Sequence, residues 1–155
     1  MSDAWQAQLG RSLQQDIGDF VVRRADGQIG YQLACVVDEA AQSITEVVRG
    51  ADLIGSSFRQ MLLQTLLGLA MPDYRHLPLL LDAEGRKLSK QNHAQPIASI
   101  DAGDNLHDCL ELLGQAPPPA LRGAAAGEVM RWAQAQWNAK KVPAGLHMPV
   151  SPVNN

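Results

Sequence analysis

Cysteine is nearly absent from this sequence: Cys35 and Cys109 are the only two among 155 residues. They form no CxxC pair, so a zinc site lacks its usual ligands. Both fall in apolar stretches that read as helix, QLACVV and HDCLELL, where small buried hydrophobes in a reducing compartment are expected. No apolar run is long enough to span a bilayer. The opening stretch MSDAWQAQLGRSLQQD lacks the apolar core of a signal peptide, so the cytoplasm is the expected location. Basic charge is not in excess either. A formal net charge of −3 lacks the footprint usual in nucleic-acid binders, although a local patch can carry such a contact. What is present is ordinary for a folded domain. Apolar residues make up 46% and charged residues 19%, and the length suits one domain with a real core, with little room for two.

Periodicity sets out the elements. Residues 4–15 are compatible with a helix or a loose lead-in, and residues 16–19 with a break. The β-branched stretch FVVRR at 20–24 predicts a short strand, turned by Asp26 and Gly27. Leu33, Ala34, Val36, Val37 and Ala40 recur at helical spacing and predict a helix over Tyr31–Ala41. ITEVV at 44–48 predicts a second strand, ending at Arg49 and Gly50. A helix is expected over 58–67, capped by Ser56 or Ser57, with Gly68 near its end and Pro72 beyond it. HLPLLL at 76–81 reads as a third, buried strand, followed by a polar turn at 82–86. This alternation of strand and helix predicts an α/β fold with a parallel sheet. Beyond Lys90 the pattern is helical. Asp104 is placed to cap a helix over 105–113 stopped by Gly114, Pro117, Pro118 and Pro119 form a stiff connector, and a second amphipathic helix is expected over 128–140. The tail at 142–155 reads as irregular.

Few residues suggest chemistry. KLSK at 87–90 places two lysines around a serine, after a buried strand and a glycine-containing turn. Lys87 and Lys90 can neutralise a polyphosphate while the Ser89 hydroxyl donates to one of its oxygens, but a solvated loop gives the same tetrapeptide. Arg49 ends a predicted strand, and open α/β sheets bind ligands beyond the carboxyl ends of their strands. Its fork suits a carboxylate; the structural alternative is an exposed ion pair with Asp52 or Glu46. Tyr31 opens a helix after a turn, and either its hydroxyl reaches the same crevice or its ring packs at the helix start. His76 and His93 read as structural, with no neighbouring serine or cysteine in sequence to suggest a triad. Trp132 and Trp137 could stack on bases, but their helical spacing favours core packing.

Taken in order, GDFVVRRADG, YQLACVVDEA, ITEVVRGADL, RQMLLQTLLG, DYRHLPLLL and GRKLSKQNHA resemble the second half of the catalytic domain of glutamate-type class I aminoacyl-tRNA synthetases. The form KLSKQNHA at 87–94, and the ending RWAQAQWNAKKVP, are similar to the glutamyl-queuosine tRNA(Asp) synthetases within that group. The resemblance implies the second half of a Rossmann-like catalytic domain at residues 1–94, followed by a short helical C-terminal region at 95–155. It implies ATP, with Mg²⁺ neutralising its polyphosphate, L-glutamate, and queuosine-containing tRNA(Asp) as the acceptor. Tyr31 and Arg49 match positions that contact glutamate. Residues 87–91 match the signature loop, with Lys90 on the ATP phosphates as the catalytic lysine and Lys87 and Ser89 binding beside it. Backbone groups near Leu79 and Leu80 are expected at the adenine. The HIGH-type motif and zinc ligands of the family's first half have no counterpart in these residues, so an N-terminal half, from the same gene or a separate chain, is an expected partner. Without it, apolar surface is expected to lie bare around Phe20, Ile44 and Leu79. The alternatives are a piece of an ordinary glutamyl-tRNA synthetase and a non-catalytic tRNA-binding remnant.

Overall fold

The computed structural model describes residues 2–3, 7–8, 18–88 and 101–149. The chain divides into two compact units, Met1–Leu79 and Leu80–Asn155. No helix among the described residues is long and apolar enough to cross a membrane.

The first unit is built on a four-stranded sheet of order β2-β1-β4-β3, where β1 is Ser2–Asp3, β2 Ala7–Gln8, β3 Glu46–Gly50 and β4 Asp73–Leu77. β4 pairs in parallel with β3 on one side and β1 on the other, and β2 returns antiparallel to β1. Parallel neighbours need a crossover, and helix α2, Ile54–Leu67, supplies it between β3 and β4. Helix α1 is Tyr31–Ala41, the range that its apolar spacing predicts, with Val36 fully buried. α2 begins four residues before the expected start. Ser56 and Ser57 therefore lie inside its first turns rather than capping it; Leu53 holds the cap position and offers no side-chain bond. Its other end is as expected: Gly68 closes the helix at φ +65°, a left-handed conformation that costs a residue without Cβ least.

The expected first strand does not form. Arg23 and Ile29 make a single antiparallel bridge, and the chain between them folds into a tight loop. The Arg24 amide donates to the Gln28 carbonyl at 2.8 Å, and the Asp26 carboxylate accepts the Gln28 amide at 3.1 Å. Gly30 ends the loop with its amide on the Val22 carbonyl; a Cβ there would meet the Val21 oxygen at 2.6 Å, so the close approach requires glycine. β1, whose Asp3 pairs with Tyr74, is the second parallel neighbour of β4. The stretch at 76–81 is two strands, not one: Pro78 separates β4 from β5, Leu79–Leu81, because proline has no N–H to give a sheet ladder.

In the second unit, β5 forms a two-stranded sheet with β6, His147–Pro149, so part of the tail expected to be irregular is a strand. Helices α3, Ala102–Leu112, and α4, Ala126–Gln136, pack through Leu110, Val129 and Ala133, with Leu106, Ala124 and Trp132 against them. Each fully buried aliphatic side chain of this kind contributes roughly 1.5–3 kcal/mol. α4 stops four residues before the expected end, and a 3₁₀ turn at Ala139–Lys141 follows. Asp104 does not cap α3. It lies in the first turn and its carboxylate accepts the Gly123 amide at 2.6 Å, tying the helix start to the connector. Trp132 joins the core as expected, whereas Trp137 remains 45% exposed. Cys109 is exposed on α3, contrary to the expected burial; Cys35 is half-buried.

Candidate functional site

The site grows from register. Arg49 on β3 stands opposite His76 on β4, and Val47 opposite Tyr74. Side chains alternate along a strand, so Tyr74 and His76 share the face that Arg49 occupies. α2 packs on this face with a polar stripe: Ser57, Gln60 and Gln64 recur at helical spacing and are all buried. Buried polar groups need partners, and most of these find them in one another. Arg49 Nη1 donates to Gln60 Oε1 at 2.8 Å and Nη2 to Ser57 Oγ at 2.5 Å. The guanidinium lies 5.0 Å from the Tyr74 ring centre, within cation–π reach. Ser57 Oγ is 2.7 Å from His76 Nε2, and His76 Nδ1 is 2.6 Å from Asp3 Oδ2. Gln64 bonds the Tyr74 hydroxyl at 3.1 Å.

Two observations point outward from this network. The exposed ion pair with Glu46 is not formed, because Glu46 pairs instead with Arg75. Buried N–H groups also remain unused, at Arg49 Nε and Gln60 Nε2. The guanidinium is thus half-buried, with two of its nitrogens bonded to its own protein.

Tyr31 opens α1 and is 56% exposed. Its phenol is held above the ordinary tyrosine value, first by its contact with Cys35 and then by desolvation, while the Arg49 charge acts the other way. Glu39, two turns further along α1, has its carboxyl pushed up by burial and drawn partly back by Arg49. One of its oxygens is buried without a partner.

Lys87 lies in the second unit. It follows a turn in which the Asp82 carboxylate accepts the amides of Glu84 and Arg86, at 3.1 and 2.8 Å, and the Arg86 Nε–H at 2.9 Å. The backbone bond from Arg86 is the main cause holding the Asp82 carboxyl below its usual range. Lys87 bridges Leu81 and is exposed. Ser89, Lys90, Gln91 and His93 lie outside the described residues. Leu79 and Leu80 are half-buried in β5. The one described cluster with metal-ligand spacing, His107, Asp108 and Glu111, does not fit a cation, because the Arg122 guanidinium sits against Asp108 at 2.6 Å.

Residues 7–113 match the catalytic domain of the class I tRNA synthetases for glutamate and glutamine. The chain belongs to that family. Two curated relatives named glutamyl-Q tRNA(Asp) synthetase sharpen the similarity. That of Ectopseudomonas mendocina is 46% identical over 141 residues, covering 91% of this chain and 48% of its own length. That of Methylococcus capsulatus is 47% identical over 148 residues, covering 96% and 49%. The chain thus spans about half the length of the curated relatives it matches. Among solved structures, the glutamate tRNA ligase of Elizabethkingia meningosepticum, in complex with its amino acid, superposes with a TM-score of 0.71 at 22% identity, over 97% of this chain and 33% of that one. The glutamate-tRNA synthetase of Elizabethkingia anophelis gives 0.72 at 21%, over 98% and 34%. Together with the family match, these superpositions show the fold: half of a class I catalytic domain followed by a short helical region. Sequence reading singled out Arg49 and Tyr31 but missed Ser57, Gln60 and Asp3, and it gave His76 no serine neighbour. The signal available was the polar stripe on α2, at positions where a core-facing helix would otherwise be apolar.

Proposed function

We propose that this chain takes part in the ATP-dependent activation of L-glutamate and in transfer of the glutamyl group to the queuosine base of tRNA(Asp). In the first step a glutamate carboxylate oxygen bonds to the α-phosphorus of ATP. The bond from that phosphorus to the bridging oxygen breaks, and pyrophosphate leaves with the electron pair. In the second step a nucleophile of the queuosine base attacks the acyl carbon, loses its proton, and AMP leaves. Magnesium enters with ATP as part of that substrate.

The observation that carries the reading is the half-buried Arg49 guanidinium at the carboxyl end of β3, braced by Ser57 and Gln60. Arg49 holds a carboxylate of glutamate, and Tyr31 borders the same ligand. Lys87, Ser89 and Lys90 serve the ATP phosphates, with Lys90 stabilising the charge that develops as pyrophosphate departs. The names of the curated relatives support queuosine-containing tRNA(Asp) as the acceptor over an ordinary tRNA 3′ end. Because no HxGH pattern occurs in these 155 residues, the other side of the ATP site is supplied from outside them.

The test is Arg49→Lys, assayed with a HIGH-type half present. Lysine keeps the charge and loses the fork. Glutamate-dependent exchange of pyrophosphate into ATP is expected to fall by more than about tenfold, the scale of one charged hydrogen bond, while KM for ATP changes little. Near-normal KM and turnover for glutamate would remove Arg49 from the site.

A further inference from the structure

The chain Asp3–His76–Ser57–Arg49 carries an inference that rests on the reading of Arg49 as an anion site and goes deeper into it. We propose that Ser57 and His76 are positioning residues: together they fix the Arg49 guanidinium, and the Nδ1–H tautomer of His76 is the device that does so.

A serine hydroxyl is both donor and acceptor, and its proton is free to rotate. Next to a guanidinium it is useful only when its lone pairs face the N–H groups, which requires the proton to be engaged elsewhere. Two acceptors are in reach of that proton, the Leu53 carbonyl at 3.2 Å and His76 Nε2 at 2.7 Å; the shorter contact assigns it to the imidazole, provided that nitrogen carries no hydrogen. The Asp3 carboxylate accepts only, and at 2.6 Å it holds the hydrogen of a neutral His76 on Nδ1, which leaves Nε2 bare. The Ser57 oxygen then accepts Arg49 Nη2–H at 2.5 Å. Each bond polarises the next. Register sets the chain: Asp3 pairs with Tyr74, two residues before His76, and Arg49 pairs with His76 itself. Ser57, His76 and Asp3 are all buried, so water does not compete for these bonds. The arrangement has the donor order of a serine–histidine–aspartate triad, but the serine oxygen is occupied by a guanidinium. It orients a cation and is not a nucleophile.

Nitrogen-15 spectra of the full 155-residue chain test this directly. His76 is expected to show a protonated Nδ1 and a bare Nε2, with the Arg49 Nη groups in slow rotation. Ser57→Ala removes the acceptor with little change of shape in a helix. It is expected to free the guanidinium, raising Nη rotation by about tenfold for one lost charge-assisted bond, while Ser57→Thr restores the slow rotation. Asp3→Asn, which can donate to Nδ1, is expected to move the proton to Nε2 and to loosen Arg49 as well. Unchanged rotation in Ser57→Ala, or a His76 already protonated on Nε2 in the unaltered chain, would overturn the proposal. Neither outcome touches the assignment of Arg49 to glutamate, which stands or falls on Arg49→Lys.

Discussion

At the scale of single residues, the charges of the first unit are uneven: the guanidinium of Arg49 is bonded to neutral groups, while Glu39 nearby has a buried oxygen with no partner. Burial raises the Glu39 carboxyl, so the folded chain holds that proton more tightly than the unfolded chain does. The stability this contributes is complete below the unfolded pKa and is lost as pH rises through the folded one. Glu39→Gln is therefore expected to raise Tm near neutral pH, with the gain closing as pH falls below the ordinary glutamate value of about 4, where both states become protonated. Thermal unfolding of the two chains across that range checks this; a gain that persists in acid contradicts it. Arg49 was legible in the sequence because a strand end followed by a glycine is a local pattern. The groups that hold it were not. His76 reaches Asp3 across 73 positions and Ser57 across 19, and such contacts depend on a sheet register that no short window contains.

At the scale of elements, helices were read well and short strands poorly. α1 follows from apolar spacing over three turns, whereas β1 has two residues, too few for any periodicity. The strand expected at 20–24 fails because it has only one bridge to pair with, and Val21 is left 64% exposed. The turn that leads to Lys87 was legible as a polar, glycine-containing stretch, but the Asp82 side chain that organises it was not. Asp82→Ala is expected to speed amide exchange at Arg86 and Leu88, whose bonds reach Asp82 and the Leu80 carbonyl. The loss of one charge-assisted bond sets the scale at about tenfold. The pH dependence has the opposite sign to that of Glu39. The Asp82 carboxyl is lowered on folding, so its contribution is present above the ordinary carboxylate range and is lost as pH falls through the folded value. Amide exchange followed into acid should show the turn loosening only there. Exchange unaffected by the substitution would mean that the backbone alone shapes the turn.

At the scale of the whole molecule, the family match runs from residue 7 to residue 113 and so crosses from one compact unit into the other. Ile44 and Val48 are exposed on and before β3, alongside Val21 and Ile29 in the loop before α1. Phe20 and Leu79 are half-buried, but Val21 and Val22 beside Phe20 are exposed, so bare apolar surface is found around two of the three places where it was expected and more weakly at Leu79. Under the proposed function, Arg49 and Tyr31 serve glutamate, and the lysines from Lys87 onward serve ATP. Groups that act as a unit in catalysis do not retain a graded share of activity when separated. Glutamate-dependent exchange of pyrophosphate into ATP is the most direct measurement. No exchange is expected from the pure 155-residue chain, and exchange is expected to appear when a separately expressed HIGH-bearing half is added. Robust exchange by the pure, monomeric chain alone would contradict this expectation.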